Sequence, residues 1–400
     1  MTAFDCDIIV CGGGVAGLSA AALFGGAGYH TVCVDPAPPV TKRDADGADL
    51  RTTAILQPAQ SLLDKAGIWA ALSSEAAELQ IMRIVDAGGP MSEPRVTKDF
   101  DASDISEKPF GWNVPNWHLR YALVEHLKSQ PRVDFRPGTG ATSLFTREGE
   151  ARVGLSDGTR LRARLVIAAD GRNSFIRQSA GVAVRTTRYG QKALSFAVTH
   201  DVPHENISTE IHRTGGPFTL VPLPDYKGKP SSAIVWMETA AEATRIADLD
   251  EAEFEAEMNT RSCGVLGSLK LASQRTVWPI ISQLAERMYA ERVALVAEAA
   301  HVVPPIGAQG LNMSLGDLHL LLELAERSYE GLGSAEMLMA YNRARHWEIA
   351  ARVQGINLLN RTSMASAPLL RDARAMGIEA FYAMTPVRKT LMQMGLGARG

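Results

Sequence analysis

The sequence predicts a mixed α/β fold: a parallel-sheet domain interrupted by a β-rich insertion and followed by a helical C-terminal segment. Three observations support this prediction. The first 35 residues run as strand, glycine-rich turn, helix and strand, which is half of a parallel nucleotide-binding unit. Further buried-strand patterns occur near residues 165 and 293, and the β-rich stretch lies between them. The sheet domain is therefore expected to be discontinuous in sequence and Rossmann-like.

Composition favours an ordinary globular chain. The 400 residues carry a formal charge of −3 and are 46% hydrophobic, which argues against disorder and against a strongly basic nucleic-acid binder. No apolar run is long enough to span a bilayer, and the N-terminus lacks an export-signal pattern. The four cysteines and the histidines lack metal-ligand spacing, so we expect no metal site and a reducing, cytoplasmic setting.

Local patterns predict most of the elements in chain order. Hydrophobic periodicity and turn residues define strands and helices. The predicted strands are 7–11, 31–35 and 293–297, with hairpins in 82–101 and about Asp157-Gly158 in 152–169 and a β-rich block at 192–239. The predicted helices are 15–27, 51–67, 117–128, 240–248, 250–263 and 311–329.

The glycine-rich turn predicts dinucleotide binding. Gly12, Gly14 and Gly17 fit G-x-G-x-x-G between a strand and a helix, where backbone N–H groups can approach a pyrophosphate. Asp35 ends the second strand, where an acid can accept hydrogen bonds from a ribose. This motif alone does not distinguish FAD from NAD(P).

Two later segments carry a family resemblance. Residues 165–177 read LVIAADGRNSFIR and residues 292–312 read RVALVAEAAHVVPPIGAQGLN. With the glycine-rich turn, these segments resemble the fingerprints of the single-component FAD-dependent aromatic hydroxylases, the p-hydroxybenzoate hydroxylase-like group. The segments 49–54 and 110–114, together with the tail from Leu369 to Gly397, most resemble the ubiquinone-biosynthesis hydroxylases of that group.

The resemblance implies a set of FAD contacts. Arg51 and Arg120 correspond to arginines near the phosphates and ribityl chain, with solvated salt bridges as the alternative interpretation. Asp170 corresponds to a buried structural acid in a motif that contacts both FAD and the nicotinamide. The N–H groups of Gly310, Leu311 and Asn312 open a helix and can face the electron-rich edge of the flavin ring.

One position departs from the family pattern. Where the family has Gly-Asp, this chain has Ala297-Glu298. The resemblance implies that this acid bonds the ribityl hydroxyls, and Glu298 keeps the acceptor, so we expect FAD to bind with a small shift. The alternative is weakened FAD affinity or a chain that has lost activity. No catalytic side chain is assigned because the flavin carries the chemistry, and Pro305 and His301 are candidates for a position near the ring, His301 with a chiefly structural role.

The resemblance implies FAD-dependent monooxygenation of a phenolic, polyprenylated ring in ubiquinone biosynthesis, using O2 and NAD(P)H or another electron donor. The alternatives are another flavin oxidoreductase, such as a halogenase or isoprenoid reductase, and a non-catalytic scaffold of a biosynthetic complex. The expected partners are a lipophilic phenol, O2 and a ubiquinone-biosynthesis complex or membrane surface, with no nucleic acid.

The predicted domains follow from these assignments. The FAD-binding domain comprises residues 1–75, 102–182 and 274–334, the substrate domain 76–101 and 183–273, and the helical segment 335–400. That last segment is rich in methionine and carries a net charge of +5. It is expected either to pack on the catalytic domain or to rest on a partner or on the inner face of a membrane.

Overall fold

A computed structural model describes residues 4–88, 93–364, 372, 376–377, 379–380 and 382–396. Its strands fall into four sheets. They are β1 (Ile8–Cys11), β2 (Thr31–Asp35), β3 (Thr52–Leu56), β4 (Ala77–Leu79), β5 (Ile81–Asp86), β6 (Val96–Asp101), β7 (Gly111–Pro115), β8 (Val133–Pro137), β9 (Ala141–Arg147), β10 (Glu150–Leu155), β11 (Arg160–Ala163), β12 (Leu165–Ala168), β13 (Val184–His200), β14 (Ile207–His212), β15 (Pro217–Tyr226), β16 (Lys229–Thr239), β17 (Leu269–Leu271), β18 (Thr276–Ala285), β19 (Tyr289–Ala290), β20 (Val293–Leu295) and β21 (His301–Val302).

The helices occur mainly in the first and last thirds of the chain. They are α1 (Val15–Gly26), α2 (Gln57–Lys65), α3 (Trp69–Leu72), α4 (Asn116–Lys128), α5 (Phe175–Ser179), α6 (Ala240–Asp248), α7 (Glu251–Arg261), α8 (Gln309–Glu326), α9 (Ala335–Ser363) and α10 (Thr385–Leu396). Among the described residues, none of the helices has the length and apolar character needed to cross a bilayer.

A six-stranded sheet forms the centre of the first domain. Its order is β19-β20-β12-β1-β2-β8, and all neighbours are parallel except the edge pair β19 and β20. The strands β1, β12 and β20 are buried on both faces and read as continuous apolar runs, as parallel strands covered by helices do. The predicted discontinuous α/β sheet is confirmed.

A nine-stranded sheet forms the second domain. Its order is β21-β18-β13-β16-β15-β14-β5-β6, with β17 added beside β13. Helices α6 and α7 cover one face through an apolar cluster that includes Phe196, Trp236 and Phe254. Two small sheets complete the fold, one ordered β11-β10-β9 and the other β3-β7-β4. The hairpin predicted in 82–101 forms from β5 and β6, and within the one predicted in 152–169 β10 pairs with β11.

The structure corrects two local predictions. The helix predicted for residues 51–67 begins only at Gln57, because the β-branched run before it forms β3 and pairs with β7. The apolar run after Gly158 is two strands in different sheets, since β11 ends at Ala163 and β12 begins at Leu165.

Sheet membership bears on the predicted domain ranges. Strand β4 pairs with β7 rather than with β5, and β18 belongs to the nine-stranded sheet although the prediction grouped its residues with the FAD-binding domain. The domain boundaries therefore stay a prediction. Of the tail segment that carried the family resemblance, its end residues Leu369 and Gly397 lie outside the described residues.

Candidate active site

The predicted motif residues converge at one edge of the six-stranded sheet. Gly12 follows β1, Asp35 ends β2, Asp170 comes soon after β12 and Ala297 soon after β20. These four strands are neighbours in the order β20-β12-β1-β2 and run parallel, so their carboxyl ends lie side by side. Ligands of open α/β sheets bind in the crevice outside this edge.

Two glycines of the first motif are required because a side chain would clash with the backbone, and the third leaves open space at a helix start. A Cβ on Gly12 would overlap the carbonyl of Ala169, and Gly12 has a φ of +121°. A Cβ on Gly17 would overlap the carbonyl of Gly12. Gly14 instead faces open space, and no side chain caps the N-terminus of α1 that follows it. This helix start is a cradle of free N–H groups of the kind that binds a pyrophosphate.

Asp35 holds the glycine-rich turn against the sheet. Its Oδ2 accepts a hydrogen bond of 2.5 Å from the Gly13 amide, and its Oδ1 accepts one of 2.8 Å from the Ala37 amide. Each carboxylate oxygen has a second lone pair, so Asp35 can still accept from a ribose hydroxyl. This clamping role was not predicted from the sequence.

Arg51 and Arg120 meet at a shared carboxylate. Arg51 donates two hydrogen bonds of 2.7 Å to Asp49, and Arg120 and Asn116 reach the same acid at 3.3 Å and 3.1 Å. Burial alone would raise the pKa of Asp49, but these hydrogen bonds and charges lower it below its usual value. The hydrogen bonds that Arg51 donates to Asp49, with the charges of Asp49 and Glu298, raise the pKa of Arg51 although burial opposes the shift. Asp49 and Arg51 are thus ionised, and their hydrogen bonds hold the two side chains in place.

A cavity of about 700 Å³ opens beside this cluster. The segment from Arg43 to Arg51, together with Arg120, forms one wall, and residues 272–276 with Trp278 form the other. The Arg51 guanidinium lies 5.5 Å from the centroid of the Trp278 ring. Gly12, Gly14 and Asp35 do not line this cavity.

The second motif connects to the third through a buried arginine. Asp170 accepts hydrogen bonds from the Ser174 hydroxyl and from the Ile176 amide, and these bonds hold the start of α5 against the loop after β12. Arg177 donates a hydrogen bond of 3.0 Å to the carbonyl of Ala299. Asp170 is half-buried rather than buried as expected, since it lies at the open edge of the sheet.

Ala297 keeps the backbone conformation that glycine would adopt. Its φ is +53°, in the left-handed region that costs an alanine about 1–2 kcal/mol. The next side chain, Glu298, is exposed and has no hydrogen-bond or ion-pair partner among the described residues. Ala297 thus adopts a backbone conformation that favours glycine, and Glu298 presents an exposed carboxylate whose charge acts on Arg51.

Replacing Ala297 with glycine should stabilise the protein. Removing the left-handed alanine is expected to raise the free energy of unfolding by about 0.5–1 kcal/mol after the greater entropy of unfolded glycine is subtracted. Urea unfolding measures this change. Ala344→Gly, at an exposed helical position in α9, is the control and should destabilise by about 1 kcal/mol. A destabilised Ala297→Gly variant would contradict the strain argument.

His301 belongs to a buried ionic network. Its Nε2 lies 2.7 Å from Asp317 Oδ2, and Arg345 approaches Asp317 Oδ1 at 2.9 Å. The side chains of His301 and Asp317 are 1% and 0% exposed. His301 therefore has a buried structural role, whereas Pro305, the other candidate for a position near the ring, is exposed.

The start of α8 is held by Asn312. Its side chain donates to the carbonyls of Ala54 and Ala308 at 2.7 Å and 2.6 Å, and accepts from the Leu56 amide at 2.9 Å. Ala308, the residue before the helix, has a φ of +56° and provides no side-chain cap. The amides of Gly310 and Leu311 lie in the first turn, where helix N–H groups lack intrahelical partners and can receive a ligand.

Sequence reasoning missed Asp49, Asn116, Asp317 and Arg345 as parts of this site. Asp49 carried a usable signal, because an acid two residues before Arg51 can pair with it in an extended chain. Asp317 and Arg345 carried no such signal in the sequence. Only tertiary packing brings Asp317 of α8, Arg345 of α9 and His301 of β21 together.

Comparison with known proteins agrees with this geometry. The FAD binding domain family model matches residues 5–355. The chain is 30% identical to the ubiquinone hydroxylase UbiL of Rhodospirillum rubrum, over 98% of this chain and 89% of that one. It is 25% identical to the 3-demethoxyubiquinol 3-hydroxylase of Escherichia coli, over 99% and 100%.

Solved structures share the fold. The p-nitrophenol 4-monooxygenase PnpA of Pseudomonas putida superposes with a TM-score of 0.78 at 18% identity, covering 98% of both chains. PqsL of Pseudomonas aeruginosa gives 0.76 at 22% identity, covering 93% of this chain and 99% of that one. The family match, the relatives and the motif geometry lead to one conclusion: the chain belongs to the FAD binding domain family.

Proposed function

We propose that this protein is an FAD-dependent monooxygenase that hydroxylates a phenolic, polyprenylated ring in ubiquinone biosynthesis. The observation that carries the proposal is the convergence of Gly12, Asp35, Asp170 and Ala297 at the carboxyl edge of four adjacent parallel strands. Relatives over nearly the whole chain are named as ubiquinone hydroxylases, which supports the substrate class.

The residues at this edge fit FAD. Gly12, Gly14 and Gly17 would admit the pyrophosphate to the start of α1, and Asp35 would accept from the ribose. Arg51 and Arg120 would lie near the phosphates and the ribityl chain, and the exposed carboxylate of Glu298 would accept hydrogen bonds from the ribityl hydroxyls. Asp170 would be a structural acid at this edge, in the motif whose family resemblance implies contact with both FAD and the nicotinamide.

The start of α8 would hold the ring end of the cofactor. The amides of Gly310, Leu311 and Asn312 and the positive end of the helix would stabilise negative charge on the pyrimidine edge. When bound, FAD supplies the redox chemistry: it takes electrons from NAD(P)H or another donor and activates O2.

The protein's own task is to position the phenol and exclude water. Beside the exposed Pro305 an apolar cluster joins Ala193, Met237 and Ile280 of the nine-stranded sheet to Ile306 and to Ile356 of α9. This buried apolar cluster would keep water away from that end of the site, where water would divert activated oxygen.

The C-terminal helical segment would associate with an anionic membrane surface. One face of α9 exposes Trp347 at 80% and Leu358 at 65%, and the exposed Arg343 and Arg361 flank them. Apolar side chains bordered by arginines favour an anionic lipid surface. The protein should co-sediment with vesicles that contain phosphatidylglycerol, and the Trp347→Ser variant should stay in the supernatant. Equal retention of both would contradict this association.

The function is tested by an absorption spectrum and a turnover assay. The purified protein with added FAD should show a flavin spectrum, and a prenylated phenol should stimulate NAD(P)H oxidation. Bound flavin without NAD(P)H use would point to another electron donor. A protein that takes up no FAD would overturn the proposal and support the scaffold alternative.

A further inference from the structure

Asn113 is a buried polar residue that no role above accounts for. It lies in β7, within the segment 110–114 that the sequence shares with the ubiquinone-biosynthesis hydroxylases, and is 1% exposed. Its amide nitrogen donates a hydrogen bond of 2.8 Å to the carbonyl of Pro222 in β15. Asn113 therefore bridges the small β3-β7-β4 sheet and the nine-stranded sheet.

The other end of this amide is unused. Asn113 Oδ1 is buried and has no hydrogen-bond partner among the described residues. Its orientation is fixed, because the carbonyl of Pro222 can only accept and so must face the NH2 group. An acceptor buried without a donor is costly and rare in native proteins, so the physical expectation is a donor from a bound ligand or an ordered water.

The surroundings indicate what kind of molecule supplies that donor. Pro222 lies between Val221 and Leu223, which pack with Ala197 and Ala233 as an apolar cluster on the nine-stranded sheet. The side chains of this cluster are all apolar and carry no charge. An apolar ligand with one hydroxyl group matches a surface of this kind.

Asn113 is also close in structure to the start of α8. It pairs directly with Ala54 across β3 and β7, and the carbonyl of Ala54 accepts the hydrogen bond from Asn312. The free oxygen is thus one strand away from the residue that anchors the proposed flavin-ring site. A donor that meets Asn113 belongs to a molecule bound next to that site.

We propose that Asn113 Oδ1 accepts a hydrogen bond from the phenolic hydroxyl of the substrate and positions its ring. This inference rests on the proposed function and adds a specificity-determining residue to it. A ring that bears a free hydroxyl satisfies the buried acceptor, whereas a ring whose hydroxyl is methylated leaves it unsatisfied and adds a methyl group.

The test compares two ligands on the FAD-loaded protein. A short-chain prenylated phenol and its methyl ether are titrated while flavin absorbance reports binding. Wild-type protein should bind the phenol about tenfold more tightly than the ether, the effect of one hydrogen bond. Asn113→Leu should bind the two ligands equally while keeping its flavin.

Asn360→Leu is the matched control. Asn360 is buried, donates 2.8 Å to Gln191 and likewise has an unpartnered Oδ1, but it lies near the end of α9. This variant should keep the preference for the phenol.

Three results would overturn the inference. The first is that wild-type protein binds both ligands equally, a measurement that needs no variant. The second is that Asn113→Leu keeps the preference for the phenol. The third is that Asn113→Leu folds but loses FAD affinity, which would assign the acceptor to the cofactor. Absence of FAD binding or hydroxylation in wild-type protein would instead refute the proposed function.

Discussion

Replacing Gly14 with aspartate is expected to weaken FAD binding at least a hundredfold while stabilising the apoprotein. The two effects have opposite signs because Gly14 is both the N-cap of α1 and the floor of the proposed pyrophosphate cradle. Its backbone is extended, with φ −71° and ψ 174°, and a Cβ there meets no atom within 4 Å. The substitution therefore causes no clash in the apoprotein.

Stabilisation of the apoprotein follows from capping. An aspartate in this conformation accepts hydrogen bonds from the free N–H groups of the first turn and complements the helix dipole. The gain over glycine is a few tenths of a kcal/mol. Loss of FAD follows from the same carboxylate, because like charges placed together cost several kcal/mol.

Thermal unfolding and FAD titration measure the two effects separately. Gly149→Asp is the control, since Gly149 also meets no atom within 4 Å but lies in the exposed turn between β9 and β10. It should leave FAD affinity unchanged. FAD binding by Gly14→Asp at wild-type strength would show that the cofactor does not use this helix start.

Replacing Asp317 with alanine is expected to lower the free energy of unfolding by about 3–5 kcal/mol. Asp317 is fully buried and accepts from His301, from Arg345 and, at 3.4 Å, from the Ala297 amide. Its removal leaves the Arg345 guanidinium, only 10% exposed, with the more exposed Glu348 as its remaining carboxylate partner. Breaking a buried network of ion pairs and hydrogen bonds is among the largest single-site penalties.

The same change should weaken FAD binding because it releases the loop before Glu298. Ala297 adopts a strained conformation, which persists only when surrounding contacts hold it. Glu323→Gln is the control on the same helix; Glu323 is half exposed and pairs with His319, so its loss should change stability by less than about 0.5 kcal/mol. A free energy of unfolding in urea for Asp317→Ala that lies within 1 kcal/mol of the wild-type value would contradict the role of this network.

Sequence patterns predicted the elements whose signals are local. The strand, turn and helix around Gly12 and the helix at 240–248 follow from periodicity, glycine punctuation and capping, and the structure reproduces them. The segment 52–56 was assigned to a helix because a helix does follow it. Its strand character arises from pairing with β7, more than fifty residues later, which local patterns do not report.

The site shows the same division. The motif residues at the sheet edge were predictable because each follows a recognisable strand. The left-handed conformation of Ala297 was not, since alanine gives no sign of a positive φ. The network of His301, Asp317 and Arg345, and the free oxygen of Asn113, depend on contacts between distant segments and became visible only in the structure.

The central claim is that this protein transfers one oxygen atom from O2 to a prenylated phenol. Mass spectrometry of the product formed under 18O2, with FAD and a reductant present, tests it most directly. We expect a product that carries one 18O atom in a new ring hydroxyl, and no label when 18O is supplied only as water. Flavin reduction without labelled product, or a product labelled from water, would contradict the monooxygenase assignment.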